Sequence, residues 1–212
     1  MGVEPDPKTT ATEAAQTLLE RLGLTGFEPG SLADWHDWLA AHHATTAGIW
    51  LVMPRKLPAA GLSPLSDLTY ENVVREALCW GWIDGQVKAL DETRALQRWA
   101  RRSPRSGWSR TNKIRIAELE ATGRIQPAGL AVIEAAKASG TWTLLDSVED
   151  LIEPPELAAA LDASPVARKN WDDFPPSARK QGLTQIALAK QQSTKSRRVE
   201  ILVEKAARGE RP

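Results

Sequence analysis

Several residue types are scarce in this chain of 212 residues. It has one cysteine, Cys79, so an internal disulfide is excluded. A single thiol fits a reducing compartment. Phenylalanine occurs twice and tyrosine once. Formal net charge is zero, so whole-molecule attraction to nucleic acid or an anionic membrane is not expected. Any charged partner must then be read by a local patch. No segment stays apolar for the ~20 residues a membrane-crossing helix needs. The start carries Glu4, Asp6 and two prolines instead of a basic stretch and an apolar run, so no export signal is read. Asp6 also stands where a myristoylation motif has Ser or Thr. Together these absences set the expectation of a soluble, cytoplasmic protein.

Chemistry-bearing motifs are scarce as well. There is no glycine loop for phosphate, no serine elbow and no paired-acid motif. His36, His42 and His43 lack metal-ligand spacing, and His42 and His43 are neighbours that cannot share one helix face. Neither a metal nor a cofactor is expected. Cys79 falls on the last turn of an apolar helix, where buried structural thiols are the common case.

What is abundant is tryptophan. The chain has nine, eight of them between Trp35 and Trp142. Around them the pattern alternates between helix and strand signals. Residues 1–12 read as a tail and 12–22 as a short helix. Ser31 with Asp34 forms a capping-box pattern for a helix reaching about His43. Ile49 to Met53, bounded by Gly48 and Pro54, reads as a buried strand. Residues 57–67 form a loop. Thr69 caps a helix over 70–80, which Gly81 ends in a left-handed conformation.

From Trp82 the apolar period changes to two. Trp82, Asp84, Gln86 and Lys88 are expected on one face, with Ile83, Gly85, Val87 and Ala89 on the other. Asp91 and Glu92 turn the chain into a second strand over 93–100, giving a hairpin with residues 49–53 as a third strand. Ser109 or Thr111 caps a helix that stops at Gly123, and Pro127 opens another that Gly140 closes. An acidic connector over 146–155 leads to helices over 156–163, 165–174, 177–192 and 194–208. The fold class expected is α+β: a small antiparallel sheet with flanking helices, followed by an all-helical C-terminal domain. The domain boundaries expected are 1–26 for the tail and short helix, 27–145 for the α+β domain and 146–212 for the helical domain.

Two constellations invite a functional reading. Between Thr93 and Ile116 stand eight cations and no acid, with Trp99 and Trp108 interleaved. Seven of the eight are arginine, which binds phosphate or carboxylate through two parallel hydrogen bonds and stacks on aromatic rings. This suggests an anionic or phosphate-bearing ligand, with single-stranded nucleic acid a weaker option. The alternative is that these arginines pair with Asp84, Asp91 or Glu92 on a solvated face. The second constellation is the row Trp82–Asp84–Gln86–Lys88, which would line a polar pocket or belong to the core.

The expected ligand-binding set is Trp82, Asp84 and Lys88 on the strand, Arg101 and Arg105 beyond the hairpin, and Trp108 with Asn112 at a helix start. No catalytic residue is assigned. An enzyme using Asp84 as general acid or base is the alternative. A third reading is a protein-interaction module, for which an exposed apolar patch at Val199, Leu202 and Val203 would be the sign.

Trp38–His43, Gly48–Leu51, Glu76–Gly85, Pro104–Asn112 and Gln126–Gly129 resemble the bacterial YdeI/OmpD-associated family, also called bacteriocin-protection proteins. Lys195 to Val199 is similar to that family's basic closing motif, with Lys195 and Ser196 where Thr and Arg are more usual. The resemblance implies a role in tolerance to antimicrobial peptides or envelope stress, and association with an outer-membrane porin. It implies no catalytic residues.

Overall fold

The structure is a computed structural model and describes residues 25–55 and 67–212. The helix expected over 12–22 and nearly all of the 57–67 loop lie outside the described residues. The chain is α+β, with a four-stranded sheet, flanking helices and a helical C-terminal region. Among the described residues, no helix is long and apolar enough to cross a membrane. The chain divides into two compact units. The first holds the described residues up to Ser103 and residues 115–134; the second holds residues 104–114 and 135–212.

In the first unit the strands are β1 (Gly26–Phe27), β2 (Gly48–Pro54), β3 (Trp82–Ala89) and β4 (Arg94–Arg101), in spatial order β1-β2-β4-β3. The short β1 was not anticipated; it pairs parallel to β2, Gly26 opposite Trp50. Helix α1 (Leu32–His42) starts at the expected capping box, the Ser31 side chain accepting from Asp34 N–H. Helix α2 (Tyr70–Cys79) is capped by Thr69, whose hydroxyl accepts from Asn72 N–H at 3.2 Å. Each cap satisfies a backbone donor that the first helical turn leaves unpaired.

Gly81 ends the helix with φ 75°, the left-handed conformation that favours glycine, and the chain enters β3 one residue later. The core beside α1 is aromatic. Trp35 packs against Trp38, Trp82 and Trp99 at ring separations of 5.4, 6.4 and 5.9 Å. The Trp35 indole N–H donates to Val73 O at 3.2 Å, tying α1 to α2. The other sheet face carries a smaller cluster of Trp50, Val52 and Leu96.

Helix α3 (Arg110–Ala121) stops before Gly123 at φ 66°, and α4 (Pro127–Ser139) before Gly140 at φ 77°. The division between the units falls inside both helices. The start of α4 lies against the end of α2, where Gln126 N–H donates to Cys79 O at 3.0 Å. A β-carbon on Gly129 would stand 2.2 Å from that same carbonyl oxygen, so only glycine fits this approach.

The second unit contains α5 (Asp146–Glu149), α6 (Pro155–Asp162), α7 (Pro165–Asp173), α8 (Pro176–Ala187) and α9 (Gln192–Ala207). Proline opens α6, α7 and α8, where a missing N–H is harmless and φ is already helical. Leu157, Leu161, Trp171, Leu183, Ile186 and Leu202 form the core. Two expectations change here. The 146–155 connector contains the one-turn helix α5, and the helix expected to reach residue 192 ends at Ala187. Val199 and Leu202 are buried and Val203 packs against them, so the exposed patch that would have been the sign of an interaction module is not present at these residues.

Candidate functional site

Asp84 lies on β3 opposite Trp99 on β4. Its Oδ2 accepts from the Tyr70 hydroxyl at 3.0 Å and from Gln97 Nε2 at 3.4 Å. Burial, reinforced by the Asp84 charge, pushes the Tyr70 phenol up to about 12. The Arg115 guanidinium sits 5.8 Å from the Tyr70 ring and bonds Glu71. That bond is the main cause holding the Glu71 carboxyl down at about 2. Burial pushes the Arg102 guanidinium down to about 10, while the Asp84 charge pulls it up. The Trp99 indole N–H is fully buried and meets no acceptor among the described residues.

The polar row on β3 does not run as simple alternation would have it. Asp84 pairs with Trp99 but Val87 with Gln97, so β3 carries one extra residue between them, a β-bulge. Because the side-chain period is two, one inserted residue moves everything beyond it to the opposite face. Trp82 and Asp84 stay with Trp99. Lys88 pairs with Leu96 instead, and its ammonium stands 4.9 Å from the Trp50 ring on the other side of the sheet. Trp82 is 0% exposed; its indole N–H donates to His43 O at 3.3 Å. Arg101 is exposed and donates to Ala44 O at 3.3 Å.

Much of the acid-free cationic run is matched by acids elsewhere. Arg94 bonds Asp91 and Glu28, Arg110 bonds Asp150, Lys113 bonds Asp146 and Arg115 bonds Glu71. Arg98 donates to the Trp99 carbonyl. Of the acids offered as partners, Asp91 is the one that takes an ion pair among the described residues, with Arg94.

The seven residues expected as a site fall four to the first unit (Trp82, Asp84, Lys88, Arg101) and three to the second (Arg105, Trp108, Asn112). Trp108 is 1% exposed and packs on Trp142 at 4.9 Å. Asn112 lies in the first turn of α3, its backbone N–H donating to Ser109 Oγ at 3.3 Å. Arg105 is exposed and lines an open cavity of about 380 Å³ within the second unit. Lys190, Ser139, Thr141 and Leu188 line the same cavity, the two hydroxyls 3.0 Å apart. A second cavity of about 320 Å³ is lined by Val148, Ile152, Glu153, Leu183, Ile186 and Lys195 among others. Leu144 and Ala187 line both.

Two polar centres were missed by sequence reasoning. The buried Glu76 carboxylate takes His36 Nδ1 at 2.8 Å, Trp80 Nε1 at 3.2 Å and Arg124 at 2.7 Å. Its signal was present: Glu76 stands three residues after Val73 on the buried stripe of α2, and a carboxylate buried there needs donors. Glu153 similarly takes Arg168 and the Trp171 indole, at 2.9 and 2.7 Å. These partners lie 15 and 18 residues away, a third, Arg179 at 3.4 Å, lies 26 away, and no local pattern announces them.

The model of a family described as a domain of unknown function (DUF8412) matches residues 27–132. That span contains the Gly81–Gly85 motif and both edges of the hairpin. The model of the bacteriocin-protection, YdeI or OmpD-associated family matches residues 150–209, which takes in Lys195 to Val199. No curated protein and no solved structure matches the chain. The chain therefore belongs to the family of that domain of unknown function, whose match takes in half of it, while its helical end matches the bacteriocin-protection, YdeI or OmpD-associated model.

Proposed function

We propose that the chain acts by binding a small anionic ligand, without chemistry on it, and that the ligand's charge sits between Arg105 and Lys190. The family description attached to residues 150–209 speaks of bacteriocin protection, and ligand capture is the form of that role proposed for this chain. The observation that carries the reading is the second-unit cavity, where an arginine, a lysine and two hydroxyls line one open space of about 380 Å³. That volume lies within the ~300–1,000 Å³ usual for small-molecule sites. A guanidinium supplies paired donors to a carboxylate or phosphate, and the ammonium adds a point charge. Trp82 and Trp108 serve as packing for their units, and Lys88 lies apart on the far face of the sheet.

The test is calorimetric titration with inorganic phosphate, butanoate and adenosine triphosphate at low salt. At least one should bind saturably, more weakly as salt is added. The double variant Arg105→Ala, Lys190→Ala should weaken it by about tenfold or more, given ~1.5–3 kcal/mol for hydrogen bonds to charged groups and the discount that exposure imposes. Binding that ignores both substitutions, or no binding to any of the three, refutes the proposal.

A further inference from the structure

The cavity that holds Arg105 and Lys190 does not stand alone. Leu144 and Ala187 line it and also line the neighbouring cavity of about 320 Å³, so the partition between the two includes an isobutyl group and a methyl. The charge of the lining changes across that partition, from two cations to one acid and one lysine. On one side are the two cations and the Ser139 and Thr141 hydroxyls. On the other are Val148, Ile152, Leu183 and Ile186, with Pro154 and Pro155. The acid on the apolar side, Glu153, is already held by Arg168 and the Trp171 indole, so its charge is matched from within. Lys195 can lay its aliphatic stem along such a wall with its ammonium in water.

Large apolar side chains stay in solvent on both sides: Ile152 is 58% exposed and Leu188 43%. Ile152 lines one cavity and Leu188 the other, so each adds apolar surface for a ligand to cover. The charge asymmetry says which way round that ligand lies. No carboxylate of the described residues pairs with Lys190, and none of the cavity's lining residues beside Arg105 and Lys190 is acidic.

We infer that the ligand is a free amphipathic anion: one alkyl chain over the Leu144–Ala187 partition and into the apolar cavity, with a carboxylate or phosphate head between Arg105 and Lys190. This rests on the anion reading above and adds to it the chemistry of the ligand's other end.

The experiment titrates the full chain with butanoate, octanoate and dodecanoate, each below its micelle concentration, and with phosphatidylglycerol vesicles. Affinity should climb with chain length, by up to about fourfold for each methylene that enters the apolar side. Ile152→Lys, at an exposed position that folding tolerates, should flatten that climb and leave butanoate binding unchanged. Ala187→Phe, which raises the partition, should also flatten that climb, and circular dichroism checks that both variants are folded. Arg105→Ala with Lys190→Ala should weaken every chain length. If butanoate binds and the longer acids bind no more tightly, the inference fails while the anion reading survives. If dodecanoate binds and ignores the loss of both cations, the anion reading fails and the amphipathic ligand falls with it. Length dependence that persists in Ile152→Lys and Ala187→Phe, or binding to vesicles without binding to free dodecanoate, also overturns the inference.

Discussion

Replacing Gly129 by alanine sets two effects of opposite sign against each other. In a helix interior alanine is favoured over glycine by ~0.5–1 kcal/mol, because glycine loses more backbone freedom on folding. Against that stands the end of α2. The added β-carbon would meet Cys79 O at 2.2 Å, Cys79 C at 2.8 Å and Leu78 O at 3.1 Å, all backbone atoms that cannot swing aside. A carbon approaches a carbonyl oxygen no closer than about 3.3 Å, so α4 must withdraw by about 1 Å. Withdrawal stretches the Gln126 N–H to Cys79 O hydrogen bond and lifts Val132 from Gly81. Overpacking of this kind costs ~1–3 kcal/mol and a strained hydrogen bond up to ~1 kcal/mol more. The expected net is a loss of about 2 kcal/mol, opposite in sign to helix propensity. Urea unfolding followed by tryptophan emission measures it, since Trp35, Trp38, Trp50, Trp80, Trp82 and Trp99 all lie in the first unit. Ala131→Gly, at an exposed position of the same helix, is the control and should cost about 1 kcal/mol from propensity alone. A Gly129→Ala variant as stable as the natural chain, or more so, refutes the close approach.

Two further outcomes follow from groups with displaced titrations. Tyr70 is the chain's sole tyrosine, so ultraviolet absorbance against pH reads its phenol directly. Burial and then Asp84 raise it to about 12, which favours the neutral form in the fold. Its contribution to stability is therefore complete below the ordinary value near 10 and lost as pH rises through about 12. That contribution is much reduced by solvent, because Tyr70 is 45% exposed. Asp84→Asn should bring the midpoint part of the way back toward 10. An unchanged midpoint would show that the carboxylate has no hold on the phenol. Cys79 is buried, and burial, with the Glu76 charge added, pushes its thiol up to about 11. A disulfide reagent at mildly alkaline pH should leave the native thiol unlabelled and label it fully in urea. Rapid labelling of native protein would contradict its burial.

What could be read from the linear chain was governed by neighbours in sequence. The Ser31–Asp34 capping box, the Thr69 cap and Gly81 each act within one helical turn. Proline fixes φ wherever it stands, and three prolines mark where α6, α7 and α8 begin. The α+β class followed from those signals and from the change of apolar period at Trp82. The break at residues 188–191 contains neither glycine nor proline, so nothing local announced that α8 ends at Ala187. Two residues of β1 are too few to show an alternation, and they become a strand only because β2 lies beside them.

The candidate site divides along the same line. Composition and order alone established an arginine-rich, acid-free stretch, an uncommon density of tryptophan and a polar residue at position 84. They could not establish which cations pair with distant acids, because Glu28, Glu71, Asp146 and Asp150 reach Arg94, Arg115, Lys113 and Arg110 across 33 to 66 residues of chain. Nor could alternation place Lys88, because the bulge inverts the strand after Asp84 only through its pairing with β4. Capping, turn formation and periodicity depend on a few consecutive dihedral angles. Ion pairs, burial and cavities depend on which distant segments arrive at the same point, and here that arrival put Arg105 and Lys190 on the wall of one cavity and buried Trp82 and Trp108.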